Sequence, residues 1–183
     1  MSDARSDLHS LVAAIVPLDG REEADVADTL AWIDSGAPLW RTAKPATPPR
    51  HLVSYFLLVD GEHVLLVDHI NAELWLPAGG HVEPGEHPWA TVRREAREEL
   101  GIECDPAPGQ HLVLSISQTV GRTASHTDVS LWYVLQGDRS GALSWDAGEF
   151  RSIAWFHRDH LPLHRSDPHM ARFLRKLGRE KDG

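Results

Sequence analysis

The stretch from Gly80 to Ile102, GHVEPGEHPWATVRREAREELGI, constrains this chain more than any other. It begins as a turn-rich loop and continues as a helix. Pro88 suits the first helical turn, where its missing N–H is no loss. Gly101 suits the stop, since the residue after a helix often takes the left-handed conformation. Trp89, Val92, Ala96 and Leu100 recur at three- and four-residue steps and should face a core. Thr91, Glu95, Glu98 and Glu99 share another face at the same steps. Like charges so spaced cost about 0.2–0.5 kcal/mol per pair, and the helix C-terminus disfavours them further. A hard divalent cation reverses the sign of that argument, because Mg²⁺ seeks oxygen ligands. The competing reading is a solvated acidic face partnered by Arg93, Arg94 and Arg97, as exposed charge pairs often are. The loop in front favours the cation. Gly79-Gly80 and Pro84-Gly85-Glu86 are turn chemistry that lets backbone approach closely, a cradle for a metal-bound diphosphate.

Gly80, five residues, Glu86, seven residues, then Arg94-Glu95-Ala96, one residue, Glu98-Glu99, one residue, and Gly101-Ile102 resemble the Nudix box at every fixed position. With the strands around it, the resemblance extends to roughly residues 50–160. It implies the Nudix fold, a mixed sheet between helices, and hydrolysis of a nucleoside diphosphate linked to another moiety. Glu98 and Glu99 are the first choice for direct contact with Mg²⁺, or Mn²⁺ in its place, and the resemblance implies the same. Glu95 is a further ligand or the base that positions water. Many Nudix enzymes take one more carboxylate from outside the box. Glu149, in Asp146-Ala147-Gly148-Glu149, is the candidate here, ahead of Asp128 and Glu83. Arg94 and Glu86 read as a pair across the loop–helix junction, with Arg94 counted in the catalytic set. Gly80, His81 and Trp75 are the expected substrate contacts. Gly80 acts through its backbone, His81 by position, and Trp75, like Trp132 and Tyr133, offers a ring for stacking.

Around this unit the chain reads as mixed strands and helices. Leu8, Leu11, Val12, Ile15 and Val16 mark a helix over 6–16, and Val26, Ala27, Leu30 and Ile33 a second over 21–35. The two form an N-terminal helical hairpin, and Pro45, Pro48 and Pro49 make an extended connector. The expected division is therefore a helical extension, residues 1–45, and a hydrolase domain, residues 46–183. Strands are expected at His51–Val59 and His63–His69, joined by the turn Asp60-Gly61. The runs SYFLLV and VLLV are apolar almost throughout, so both faces should be covered. Further strands are expected at Trp75–Ala78, His111–Val120, Thr127–Leu135 and Phe150–Phe156, with loops at Asp105–Gly109 and Gly121–His126. A closing helix, Asp167–Leu177, carries Met170, Phe173, Leu174 and Leu177. This order gives an α+β chain arranged as an α/β/α sandwich.

A net charge of −9 argues against a general DNA or RNA surface, which needs a basic face. A small phosphorylated substrate, nucleotide by preference, remains compatible because a metal would hold it. The single cysteine, Cys104, precludes an internal disulfide and fits a reducing compartment. No apolar run approaches a membrane span, so a cytoplasmic protein is expected. His157, His160 and His164 have metal-like spacing, but Pro162 interrupts them and no further ligand completes a site. The proline that often follows the box in ADP-ribose hydrolases is absent from Ser115-Ile116-Ser117-Gln118. Two alternatives stand beside nucleotide hydrolysis: a prenyl or sugar-linked diphosphate substrate, and a catalytically silent ligand sensor. The hairpin could serve as a partner-binding arm, a pocket cap or a homodimer contact.

Overall fold

The computed structural model describes residues 4–43, 47–104, 111–119 and 126–181. The loops expected at 105–109 and 121–125, Val120, and the middle of the proline connector lie outside the described residues. Four α-helices and seven strands are described: α1 (Ala4–Ala13), α2 (Gly20–Asp34), β1 (Arg50–Asp60), β2 (His63–His69), β3 (Leu74–Leu76), β4 (Ala78–His81), α3 (Pro88–Leu100), β5 (His111–Gln118), β6 (Thr127–Gln136), β7 (Phe150–His157) and α4 (Met170–Lys181).

The strands form one mixed sheet in the order β3-β2-β1-β6-β5, with β4 also paired to β1 and β7 to β2. Only the central β1–β6 pair is parallel, with His51 opposite Asp128 and Val53 opposite Ser130. Every other pair is antiparallel. The sheet is covered on both faces, as the continuous apolar runs require. Leu52, Phe56 and Leu58 of β1 enter one core with Val129 and Leu131 of β6. Leu57 and Val59 enter the other, with Trp132. The period of two in a strand sends alternate side chains to opposite faces. Val92, Ala96 and Leu100 of α3 join the first core, Met170, Phe173 and Leu177 of α4 the second. The architecture is thus an α/β/α sandwich of the α+β class.

The first helix ends earlier than its apolar stripe suggests. It stops at Ala13, and Val16 is 78% exposed. The residue before a proline is disfavoured in the helical region, and Pro17 follows Val16 directly. In α2, Asp19 caps the start by accepting from Glu22 N–H at 3.0 Å. Leu8, Val12, Ile15, Val26 and Ile33 all enter the first core. Buried charges tie α2 to β5 and α4: Glu22, fully buried, accepts from Leu114 N–H at 3.1 Å and from Lys176 Nζ at 2.9 Å.

Candidate active site

The acidic face of α3 meets the glycine backbone of β4. Pro88 lies in the first turn, His87 Nδ1 accepts from Trp89 N–H at 3.1 Å, and Gly101 closes the helix in the left-handed conformation at φ 66°. Val92, Ala96 and Leu100 are fully buried, which turns Glu95, Glu98 and Glu99 toward β4 and solvent. β4 pairs with β1, Gly79 opposite Tyr55 and Gly80 opposite Ser54. Neither glycine has room for a side chain, Gly79 because of β1 and Gly80 because of Glu95 on α3. A Cβ at Gly79, where φ is +137°, would come within 2.8 Å of Tyr55 Cα, and one at Gly80 within 2.6 Å of Glu95 Cδ.

Gly79 N–H donates to Glu99 Oε2 at 2.8 Å. Glu99 is 4% exposed. Burial, reinforced by the neighbouring Glu95 charge, holds its carboxyl well above the usual carboxylate range, against the pull of the Gly79 hydrogen bond. Burial also raises the Glu95 carboxyl, opposed by Arg94, whose Nη1 donates to Glu95 Oε1 at 2.6 Å. Arg94 is the hub of this junction. It donates from Nε to Glu86 Oε1 at 3.2 Å, and from Nη2 to Glu86 Oε2 at 3.1 Å and to His81 O at 3.2 Å. Glu86 also accepts from Thr91 Oγ1 at 2.7 Å and Glu83 N–H at 3.1 Å. Desolvation would raise the Glu86 carboxyl, but these donors hold it below its ordinary value.

A cavity of about 400 Å³ opens on this junction. Glu95, Glu99, Arg94, Gly79, Gly80 and His81 line it, and Glu149 enters from the loop before β7. The Glu149 backbone is fixed by Ile70 N–H, which donates to its carbonyl at 2.9 Å, and Oε1 lies 3.4 Å from His69 Nε2. The Glu149 charge is one of those raising both Glu95 and Glu99. Glu98 stands apart from the lining. Its side chain is 59% exposed, 3.4 Å from Arg94 Nη1. Trp75 does not line the cavity either; its ring meets Phe156 edge-on at 5.0 Å, under the Arg165 guanidinium. Trp132 and Tyr133 are core residues, with Trp132 Nε1 donating to Ser115 Oγ at 2.8 Å. Asp128 lies in a separate cluster with His51, His81 and His126.

Arg41, just after the helical hairpin, lines the cavity with Thr42 and Ala43. Burial lowers its guanidinium pKa, while the charges of Asp128, Glu95 and Glu149 oppose that shift. Nothing in LWRTAKPATPPR marks Arg41 for a site, because a connector has no period to read. Oxygen donors alone, with burial and mutual repulsion lifting the carboxyls of Glu95 and Glu99, fit a hard divalent cation.

The NUDIX domain family model matches residues 49–177. The chain belongs to this family, and its class is that of the Nudix hydrolases. It is 22% identical to the MutT NUDIX hydrolase from Burkholderia pseudomallei, with a TM-score of 0.59 over 70% of this chain and 98% of that one. It is 18% identical to the MutT protein from Methanosarcina mazei Go1, with a TM-score of 0.61 over 74% of this chain and 97% of that one. At these identities the likeness is one of fold. A mouse bis(5'-nucleosyl)-tetraphosphatase [asymmetrical] is 43% identical over 54 residues, 30% of this chain. The match spans 37% of that relative's length.

Proposed function

We propose that this protein hydrolyses the diphosphate bond of a nucleoside di- or triphosphate derivative, with Mg²⁺, or Mn²⁺ in its place, as cofactor. The observation that carries the reading is the convergence of Glu95, Glu99 and Glu149, from a helix and a distant loop, on one cavity that also holds Arg41. Glu95, Glu99 and Glu149 would hold the cation, with Glu98 reaching it from the exposed edge of the same helix face. When bound, such an ion neutralises phosphate oxygens and acidifies water. Arg41, in the same lining, would meet phosphate charge. Gly79 N–H fixes the Glu99 carboxylate, and Arg94 fixes Glu95. The raised pKa of Glu95 is the direction a general base working near neutral pH needs. Gly80 keeps the loop backbone against that carboxylate, where a side chain would displace it.

The mouse relative's name, over its short match, supports a nucleotide substrate. Among the described residues, His81 supplies the one aromatic ring in the cavity lining. With no second ring among the described lining residues to sandwich a base, sugar-linked and prenyl diphosphates belong in the same assay. On the same reading a domain division falls at residue 45, the protein lies in the cytoplasm and the hairpin forms a homodimer contact. Among the described residues no helix is long and apolar enough to cross a membrane.

The test is phosphate and pyrophosphate release, with Mg²⁺, from nucleoside triphosphates, dinucleoside polyphosphates, sugar-linked and prenyl diphosphates. At least one nucleotide should turn over. Glu98→Gln should reduce that turnover more than about 100-fold. Its thermal midpoint should be unchanged or raised, because the exposed pair with Arg94 contributes little while a like charge beside Glu95 and Glu99 is removed. Silence across the panel would favour a ligand sensor.

A further inference from the structure

We propose that His51, His81, His126 and Asp128 form a second metal site, for a borderline transition-metal ion of the zinc class, distinct from the carboxylate cluster on α3. The sheet assembles it. Parallel pairing sets His51 of β1 opposite Asp128 of β6. Antiparallel pairing sets His81 of β4 opposite Val53, two residues along β1 from His51. His126 immediately precedes β6 and is anchored on Thr119, just beyond β5.

One ligand atom from each of the four residues lies within 4.8 Å of all the others. Asp128 Oδ1 is 3.4 Å from His51 Nε2 and 3.2 Å from His126 Nε2. A tetrahedral zinc ion with bonds of about 2.0–2.1 Å needs ligand–ligand edges of about 3.3–3.4 Å. Those two edges are already at that length. The other four edges all lie within 4.8 Å, and the three that involve half-buried His81 would shorten on rotation of its ring.

Proton accounting supports a cation at the centre. His51 Nδ1 lies 2.8 Å from the Pro48 carbonyl, which can only accept. In a neutral ring the proton therefore sits on Nδ1, and Nε2 turns a lone pair toward the Asp128 carboxylate. Thr119 Oγ1 accepts from His126 N–H at 3.0 Å and donates to His126 O at 3.2 Å. His126 Nδ1 lies 3.1 Å from the same hydroxyl, and donation to it would likewise turn the Nε2 lone pair toward Asp128. Ligating histidines commonly donate their second N–H to a carbonyl or similar acceptor in this way. Protonating both rings instead would place two cations in stacked rings with centroids 4.7 Å apart. A single divalent ion lets both stay neutral. His51, His126 and Asp128 are 0%, 7% and 7% exposed.

Three imidazoles and a carboxylate select a zinc-class ion, whereas the all-carboxylate α3 site selects a hard one. Four protein ligands leave no open position, which defines a structural site. The ion would tie β1, β4 and β6 together at the rim of the cavity, since His81 also lines it.

The test uses the full, untagged chain, stripped with chelator and then dialysed against Zn²⁺ in excess Mg²⁺. A single zinc per chain should survive gel filtration and raise the thermal midpoint. Co²⁺ in its place should give an intense tetrahedral visible spectrum without a thiolate charge-transfer band. His126→Gln and Asp128→Asn should lose the zinc, and Glu98→Gln/Glu99→Gln should keep it. No retained zinc, a weak six-coordinate Co²⁺ spectrum, or zinc lost with the glutamates but kept by His126→Gln would each overturn the proposal. Should the histidine variants fail to fold, the Co²⁺ spectrum of the unmodified chain decides. None of these readouts depends on hydrolysis, so they stand whatever the substrate panel returns.

Discussion

Arg41 and Asp167 show what single side chains contribute. Arg41 lines the cavity within electrostatic reach of Glu95 and Glu149, whereas Arg94 is engaged with Glu86 and Glu95. A hydrogen bond between charged partners contributes about 1.5–3 kcal/mol, or about 10- to 100-fold in binding. Arg41→Ala should therefore raise KM by about that factor and change kcat less. Steady-state kinetics on the substrate found by the panel would check this, and an unchanged KM would remove Arg41 from the site. Asp167 precedes α4 and accepts from His169 N–H at 2.7 Å. Burial outweighs that hydrogen bond and pushes its carboxyl up to about 6, from an ordinary 3.8. A carboxyl raised on folding contributes stability fully below its unfolded pKa and loses it as pH rises through the folded one. Asp167 should thus make the fold less stable between about pH 4 and pH 6. In Asp167→Asn, urea midpoints should fall less across that window. Parallel profiles for the two proteins would refute the assignment.

Among elements, the junction of α2, β5 and α4 rests on buried charge rather than apolar contact alone. Glu22 accepts from Leu18 N–H, Leu114 N–H and Lys176 Nζ. Asp25 lies 3.4 Å from Arg172, and both are buried. Removing one member of a buried ion pair strands its partner, at a cost of about 3–5 kcal/mol. Glu22→Ala should lose about that much in denaturant unfolding, because Lys176 is left buried without a counter-charge. A loss near zero would mean that α2 is not held to α4 through this pair. The same contacts bear on the N-terminal segment. Its removal would uncover Lys176 and Arg172, as well as the core around Leu8, Val12 and Ile33. The sequence shows the apolar stripes of α1 and α2 but not these partners. Glu22 and Lys176 are so far apart in the chain that no local pattern relates them.

For the whole molecule, the proposed function predicts that a chain of net charge −9 with acids gathered around one cavity is stabilised by a divalent cation. Ligand bound only by the folded state raises stability by RT ln(1 + [L]/Kd), about 1.4 kcal/mol per decade above Kd. The thermal midpoint should rise with Mg²⁺ beyond what Na⁺ gives at equal ionic strength, a control that removes general screening. Glu98→Gln/Glu99→Gln should abolish that excess. Identical Mg²⁺ and Na⁺ curves would argue against a resident cation. The sequence by itself determined the acid-faced helix, its glycine-led entry and its left-handed stop, because these depend on residues within a few turns of one another. The almost continuous apolar runs of β1 and β2 likewise foretold a sheet covered on both faces. Only the tertiary structure decided that Arg41 shares a cavity with Glu95, that Trp75 lies against Phe156, and that His51, His81, His126 and Asp128 meet. Those neighbours are set by strand register across the sheet, and register is fixed by the packing of both cores rather than by any short stretch of chain.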